Sequence, residues 1–301
     1  MRSLPDAELL LTLLAVSEAG SESEASTVLG IGQSSVSRRL AALQEGVAEP
    51  LTQRTAAGLK VTSAGERLLP HARQVRAALA AAGRTLDTGT GPLDLTLGLS
   101  AHLAPRLTGA LVTAGSDASV TSLSLVEGSS RRLLRQVHDG SLPAAVTLWA
   151  PAGAEPGFTA ERVATDRLAC VAVGGNPAIK GGELQLAALR DQTVLLPGQD
   201  SVVTARATAL FRRHGIAAAA TVDVGSGAAV RSAALAGVGV GVTLASACAA
   251  DVAAGWLSAA PFPLPDGGID VWLLSSDSLE ERDAARVRAL VSAAIGATAA
   301  A

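Results

Sequence analysis

Apolar residues recur at helical spacing through the first part of the chain. Leu10, Leu11, Leu14 and Ala15 share one face of a helix that Asp6 caps and that ends at Gly20, after Ala19. Ser21 or Ser23 caps a second, short helix to Leu29, and Gly30-Ile31 leads into a third that begins at Gly32-Gln33 and runs to about Glu45. The inner face of that third helix is Val36, Leu40 and Leu43, so Gln33, Ser34, Ser37 and Arg38 project from the other side near its N-terminal end. This is a helix-turn-helix whose second helix offers polar side chains where base edges would lie. The segments Leu51-Thr52-Gln53-Arg54 and Leu59-Lys60-Val61-Thr62, joined by a turn ending in Gly58, read as a two-stranded wing. In that docking geometry the helix enters the major groove and a wing Arg or Lys reaches phosphate or minor groove.

After the capping position Thr62, a long helix extends to about Leu86. Leu68, Ala72, Val75, Leu79, Ala82 and Leu86 form an alternating four-three seam along it, the pattern of a helix that pairs with a second copy. Pro70 falls in its first turns, where a missing amide costs least. Gly91-Pro92 then marks a hinge. Beyond it strands and helices alternate: strands at 93–99, 119–127 and 144–149 with helices at 104–114 and 130–139, then a second set from Leu168. That set contains strands 168–173, 193–196, 219–224 and 238–242, with helices 203–213 and 228–236. Strand 272–275 and helix 280–295 close the fold. This is α/β grammar and predicts a parallel sheet.

Charge sharpens the first part of the picture. The chain is net −3, yet residues 31–84 carry eight Lys or Arg against three Glu, a basic segment inside an acidic protein and a footprint for phosphate. Residues 1–30 are acidic. Three Trp, three Phe and no Tyr leave the core to Ala, Val and Leu and exclude an aromatic platform for single-stranded nucleic acid. Cys170 and Cys248 are far apart, and His71, His102, His138 and His214 are scattered, so neither a zinc signature nor a disulfide framework is read. No cofactor or metal is expected.

Two stretches imitate membrane or export signals. Leu9 to Val16 is mostly apolar, but Asp6 and Glu8 precede it where a signal peptide carries positive charge. Ser232 to Ala250 has no charge, but Gly237-Val238-Gly239-Val240-Gly241 is too glycine-rich for a lipid-facing helix and reads as a buried helix, a turn and a strand. Its spacing is not that of a dinucleotide loop. A cytoplasmic protein without a membrane partner is expected. No nucleophile elbow, Walker loop or paired His and carboxylate appears, so no catalytic residue is assigned.

The order of residues over the first seventy positions resembles the LysR-type family of bacterial transcription regulators. The stretches are Gly20-Ser21, Ala25, Leu29, Gln33-Ser34-Ser35-Val36-Ser37-Arg38-Arg39-Leu40 and Leu43, then Leu51, Arg54, Leu59, Val61-Thr62, Ala64-Gly65 and Leu68-Leu69-Pro70. In the second half, Glu127-Gly128-Ser129, Asp139-Gly140-Ser141-Leu142, Phe211 to Gly215 and Ala236 to Val240 extend the likeness. It implies an N-terminal winged helix-turn-helix (1–65), a long linker and dimerisation helix (66–90) and a two-lobed α/β effector domain (91–301) similar to type II periplasmic binding proteins. Lobe I would be 91–163 with 265–301, and lobe II 164–264. The implied protein is a sequence-specific regulator, a homodimer or homotetramer on a roughly palindromic duplex operator, modulated by a small polar, anionic metabolite between the lobes.

The resemblance carries DNA contacts to Gln33, Ser34, Ser37 and Arg38 on the recognition helix and to Arg54 and Lys60 on the wing. It places effector contacts at Ser100, His102, Ser129, Trp149, Ser201, Thr204 and Ser226, although the four serines are good helix N-caps with or without a ligand. Several positions depart from the family. Glu22 and Thr52 stand where it usually has Phe; Gln44 and Ala48 replace its Glu and Gly; Pro50 is unusual; Pro143 replaces an aspartate. Two missing core aromatics would remove roughly 1.5–3 kcal/mol of burial each and predict a marginal DNA-binding domain. The competing readings are a regulator without a small ligand, constitutive or redox-responsive through its cysteines, and a solute-binding protein with a degenerate N-terminal domain.

Overall fold

A computed structural model describes residues 5–45, 47–55, 58–86, 93–117, 120–151, 153, 156–264 and 267–299. The chain divides into two compact units, Met1–Thr90 with His138–Ser141, and Gly91–Val137 with Leu142–Ala301. The hinge expected at Gly91-Pro92 lies outside the described residues, as does the side chain of Leu86.

In the first unit the helices are α1 (Ala7–Ala19), α2 (Glu22–Leu29) and α3 (Gln33–Glu45), followed by strands β1 (Thr52–Thr55) and β2 (Gly58–Val61) and helix α4 (Ser63–Leu86). Asp6 caps α1 by accepting the Glu8 amide, and Gly20 ends it with φ +78°, a left-handed conformation that costs glycine nothing. Of the two candidate caps for α2, Ser21 does the work, accepting the Glu24 amide at 3.1 Å. Leu13, Leu14, Val16, Ala25, Val36, Leu40 and Leu43 make the core, closed by Leu51 before the antiparallel wing. Gln44, a departure from the family pattern, staples the loop below α3: its amide donates to the Val47 and Glu49 carbonyls and accepts from the Leu51 amide.

The seam of α4 is only partly free. Leu69 and Ala72 are buried and Leu68 and Val75 pack against the same core, because α4 lies along α1; Leu79 and Ala82 remain exposed. The first half of the expected pairing stripe is therefore covered by the unit's own helix. Pro70 is also deeper than expected, since α4 starts at Ser63 and places it beyond the first turn, where a hydrogen bond is forfeited.

In the second unit, strand β3 (Leu93–Ser100), helix α5 (Ala104–Asp117), β4 (Val120–Gly128), α6 (Ser130–His138), β5 (Ala144–Thr147) and β6 (Phe158–Asp166) begin lobe I. The chain then builds lobe II from β7 (Leu168–Val173), β8 (Ile179–Lys180), β9 (Glu183–Leu184), a 3₁₀ turn at Leu186–Asp191, β10 (Thr193–Leu196), α7 (Val202–His214), β11 (Ala220–Asp223), α8 (Gly227–Leu235), β12 (Val240–Leu244), a 3₁₀ turn at Ala245–Cys248, α9 (Ala249–Ala253) and β13 (Leu257–Pro261). It returns to lobe I for β14 (Ile269–Ser276) and α10 (Glu281–Ala299).

Both five-stranded sheets are mixed, which corrects the all-parallel expectation: the orders are β4-β3-β5-β14-β6 and β11-β10-β12-β7-β13. In each, the first three strands are parallel and the last two antiparallel to their neighbours. The antiparallel pairs come from the segments that carry the chain between lobes, so the first crossover falls at Arg167, after β6, and not at 164. Asp166 pins that crossover, accepting from Ser246 of lobe II and pairing with Arg106 of α5 at 3.4 Å. Pro143 is accommodated just before β5, its carbonyl accepting the Ser276 amide. In the glycine run, a Cβ at Gly239 would lie 2.2 Å from the Thr193 carbonyl oxygen and one at Gly241 2.5 Å from Val230. The run allows close backbone approach beside β10 and α8, and cradles no nucleotide.

Candidate DNA-reading face and effector cavity

On the first unit, Gln33, Ser34 and Arg38 are exposed at the start of α3, with Ser37 half-buried one turn along, while Arg54 and Lys60 are exposed on the paired wing strands. Arg38 hydrogen-bonds the Ser34 carbonyl and the Ser35 hydroxyl, which holds its guanidinium along the helix. Ser21, Glu22, Gln33, Arg54 and Gly58 border an open recess between α2, α3 and the wing. Glu22 was legible in the sequence only as a departure. In the structure its carboxylate accepts the Ser37 hydroxyl and stands 4.0 Å from the Arg54 guanidinium. The lost aromatic is thus replaced by a polar link between the recognition helix and the wing.

The second unit contains a cavity of about 270 Å³ between its lobes. Of the seven residues assigned to an effector, Ser100, His102, Ser129, Ser201 and Ser226 line it; Trp149 and Thr204 do not. Leu148 takes the wall position beside Trp149, whose ring is turned outward with the Arg131 guanidinium 6.0 Å from its centroid. Thr204 lies inside α7, three residues past its cap. Sequence reasoning missed Ser130, Gln199 and Asp200, because the loop Pro197-Gly198-Gln199-Asp200 carries no motif that distinguishes it from an ordinary turn.

The cavity's chemistry comes from helix starts. Ser201 and Ser226 cap α7 and α8 by accepting the Val203 and Ala229 amides at 3.1 Å, and Ser129 accepts from Arg132 at the start of α6. Three helix N-termini face one space, each with early amides that lack an intrahelical acceptor. A serine cap uses its lone pair, so the protons of Ser129 and Ser226 remain to be donated. His102 of lobe I crosses to lobe II, its Nε2 2.8 Å from Ser201 Oγ. Burial lowers its pKa to about 4, so the ring is neutral near pH 7. Ser100 Oγ and His102 Nδ1 are buried with no partner, and Asp200 is the one carboxylate in the lining. Among the described residues no group of His, Cys, Asp and Glu has metal-binding geometry.

Comparison with known proteins agrees with both halves. The profile described as "Bacterial regulatory helix-turn-helix protein, lysR family" matches residues 7–66, and that described as "LysR substrate binding domain" matches residues 93–295. The chain belongs to the LysR family. It is therefore a LysR-type, DNA-binding transcriptional regulator, built as a helix-turn-helix followed by a two-lobed α/β substrate-binding domain. A curated relative, the "Probable hydrogen peroxide-inducible genes activator" of Mycobacterium xenopi, is 35% identical over 141 residues, which is 46% of this chain and 74% of the relative. The crystal structure of ArgP from Mycobacterium tuberculosis superposes with a TM-score of 0.72 at 22% identity, covering 97% of each chain. Full-length CbnR complexed with its target DNA superposes at 0.64 and 20% identity, covering 96% of this chain and 99% of that one. At those identities the two structures speak to the fold alone. Among the described residues of this LysR-type regulator, no helix is long and apolar enough to cross a membrane.

Proposed function

We propose that this regulator reads a roughly palindromic duplex operator in the cytoplasm as a homodimer or homotetramer, and that a small polar anion in the interlobe cavity sets its activity. On the DNA side, Gln33, Ser34, Ser37 and Arg38 are the base-reading candidates and Arg54 and Lys60 the phosphate or minor-groove contacts. CbnR, similar in fold, is solved with its target DNA, which supports DNA binding by a chain of this fold. On the effector side, the observation that carries the reading is the convergence of three serine-capped helix starts, at Ser129, Ser201 and Ser226, on one cavity whose lining holds no lysine or arginine. With no cation in the lining, a carboxylate or phosphate would be held by helix amides and serine hydroxyls, while Asp200 would accept from a hydroxyl or amine of the same molecule.

The name of the mycobacterial relative raises a redox reading. The thiols speak against it: both are buried, and burial pushes Cys170 up to about 12 and Cys248 up to about 11, so neither is an exposed thiolate. The test is a thermal-shift screen of carboxylate and phosphate metabolites, followed by calorimetry on Ser100→Ala. Loss of the hydroxyl should weaken the best hit about tenfold, from about 1.4 kcal/mol. Unchanged affinity would remove Ser100 from the site, and a melting shift on peroxide addition alone would favour the redox reading.

A further inference from the structure

Glu22 opens α2, and its side chain is 14% exposed beneath the DNA-reading face. Its Oε2 accepts the Ser37 hydroxyl proton, and its Oε1 is 4.0 Å from the guanidinium of Arg54, whose own side chain is 86% exposed. Ser37 belongs to α3 and Arg54 to β1, so one largely buried carboxylate ties the recognition helix to the wing. A serine hydroxyl has a single proton to give and lone pairs to offer. A carboxylate offers only lone pairs, so it fixes the direction of the bond: Ser37 must donate inward.

With that proton committed, only the oxygen lone pairs of Ser37 remain for a base edge. In the major groove they match the amino groups of adenine N6 and cytosine N4, and they meet the carbonyls of thymine O4 and guanine O6 as like against like. We infer that Glu22 is a specificity-determining positioning residue, which makes Ser37 select an amino-bearing base edge over a carbonyl-bearing one by holding its proton. The inference rests on the reading of α3 as the DNA-reading helix. The same carboxylate, 4.0 Å from the Arg54 guanidinium, adds a negative charge near the phosphates, which lowers affinity for DNA of any sequence.

The experiment is selection from a randomised duplex pool with the full chain. The variants are Ser37→Ala, Glu22→Leu, Glu22→Gln, and Glu22→Leu combined with Ser37→Ala. Wild type should show about a tenfold preference for the amino-bearing edge at one base-pair position of each half-site, the scale of one unmatched polar contact. Ser37→Ala should erase that preference. Glu22→Leu should erase it too, leave the other positions unchanged and bind random DNA more tightly. In the double variant the position should look like Ser37→Ala alone. Glu22→Gln keeps the side-chain volume and offers Ser37 either a donor or an acceptor; it should reduce the preference, and it reports even if the leucine variant does not fold.

If Ser37→Ala changes the position and neither Glu22 variant does, the inference is overturned while the DNA-reading assignment stands. If Ser37→Ala changes nothing, that assignment fails at Ser37 and the inference falls with it. Equal loss of preference at every position in both Glu22 variants would also overturn it, because a general structural role would then account for the effect.

Discussion

His102 is a ring kept neutral by its surroundings. When the Ser201 hydroxyl donates to Nε2, which accepts, the single ring proton is on Nδ1, 3.0 Å from where a Cβ on Gly227 would sit. Protonating the ring would bury a cation beside the starts of α7 and α8, where the helix dipoles are also positive. The folded pKa is about 4 against an ordinary 6.5. As pH falls below 6.5 the unfolded chain takes up a proton that the folded protein refuses. The stability present above pH 6.5 is therefore lost progressively down to about pH 4, some ~3 kcal/mol in all. All three tryptophans, Trp149, Trp256 and Trp272, lie in the second unit, so their fluorescence follows its unfolding. Urea titrations should show that wild type loses about 2 kcal/mol more than His102→Asn between pH 7 and pH 5. Equal losses would mean that the ring is solvated and carries no such penalty.

At the scale of elements, α4 sets the question of assembly. Leu69 and Ala72 are spent on the unit's own core, but Leu79 is 52% exposed with Ala82 exposed beyond it. A second copy that covers this half of the helix would bury two symmetry-related leucines, roughly 1.5–3 kcal/mol each. Leu79→Glu should therefore weaken self-association at least tenfold in sedimentation equilibrium while leaving the far-ultraviolet spectrum and the melting of the fold unchanged. A variant that assembles as tightly as wild type would show that α4 is not the contact. The periodic pattern of α4 was legible because the seam is regular, but periodicity does not say which partner covers it, and α1 covers half. Strands show the same limit. β3 and β7 announce themselves by alternation or by an unbroken apolar run. β6 is an edge strand that is exposed from Thr159 to Arg162, and β13 is a short run of mostly small residues ending in Pro261. Neither carries a period that marks it. The serine caps of the cavity were readable because a cap is local. Asp200 and Gln199 were not, because the return of their loop to the cavity depends on the whole lobe.

For the whole molecule, net charge is a poor guide to how many phosphates the protein engages. Residues 31–84 hold eight bases, but Arg39 pairs with Glu8, Arg67 with Glu49 at 2.9 Å and Arg76 with Glu18 at 2.8 Å. The acidic N-terminal segment thus consumes part of the basic surplus. Each of these arginines would have to leave a carboxylate to meet DNA, an exchange with little net gain at the surface. Among the described residues Arg38 and Lys60 have no ion pair, and Arg54 has only its 4.0 Å approach to Glu22. Arg73 pairs with Asp139 at 3.4 Å and the Arg84 side chain lies outside the described residues, so among the described residues three cations per protomer are ready for phosphate. Binding releases counterions in proportion to the phosphates neutralised, so the slope of log affinity against log salt should be roughly −3 per protomer, where engagement of all eight bases would give roughly −7. Fluorescence-anisotropy titrations on a fixed duplex between 50 and 200 mM salt, about a fourfold range, separate the two, since they predict losses near 60-fold and well above 10⁴-fold per protomer. Arg54→Ala should flatten the slope by about one, and Arg67→Ala should leave it unchanged. A steep slope that Arg67→Ala makes shallower would show that the Arg67–Glu49 pair opens on the DNA, and that its carboxylate competes with phosphate for the arginine and is not a fixed part of the fold.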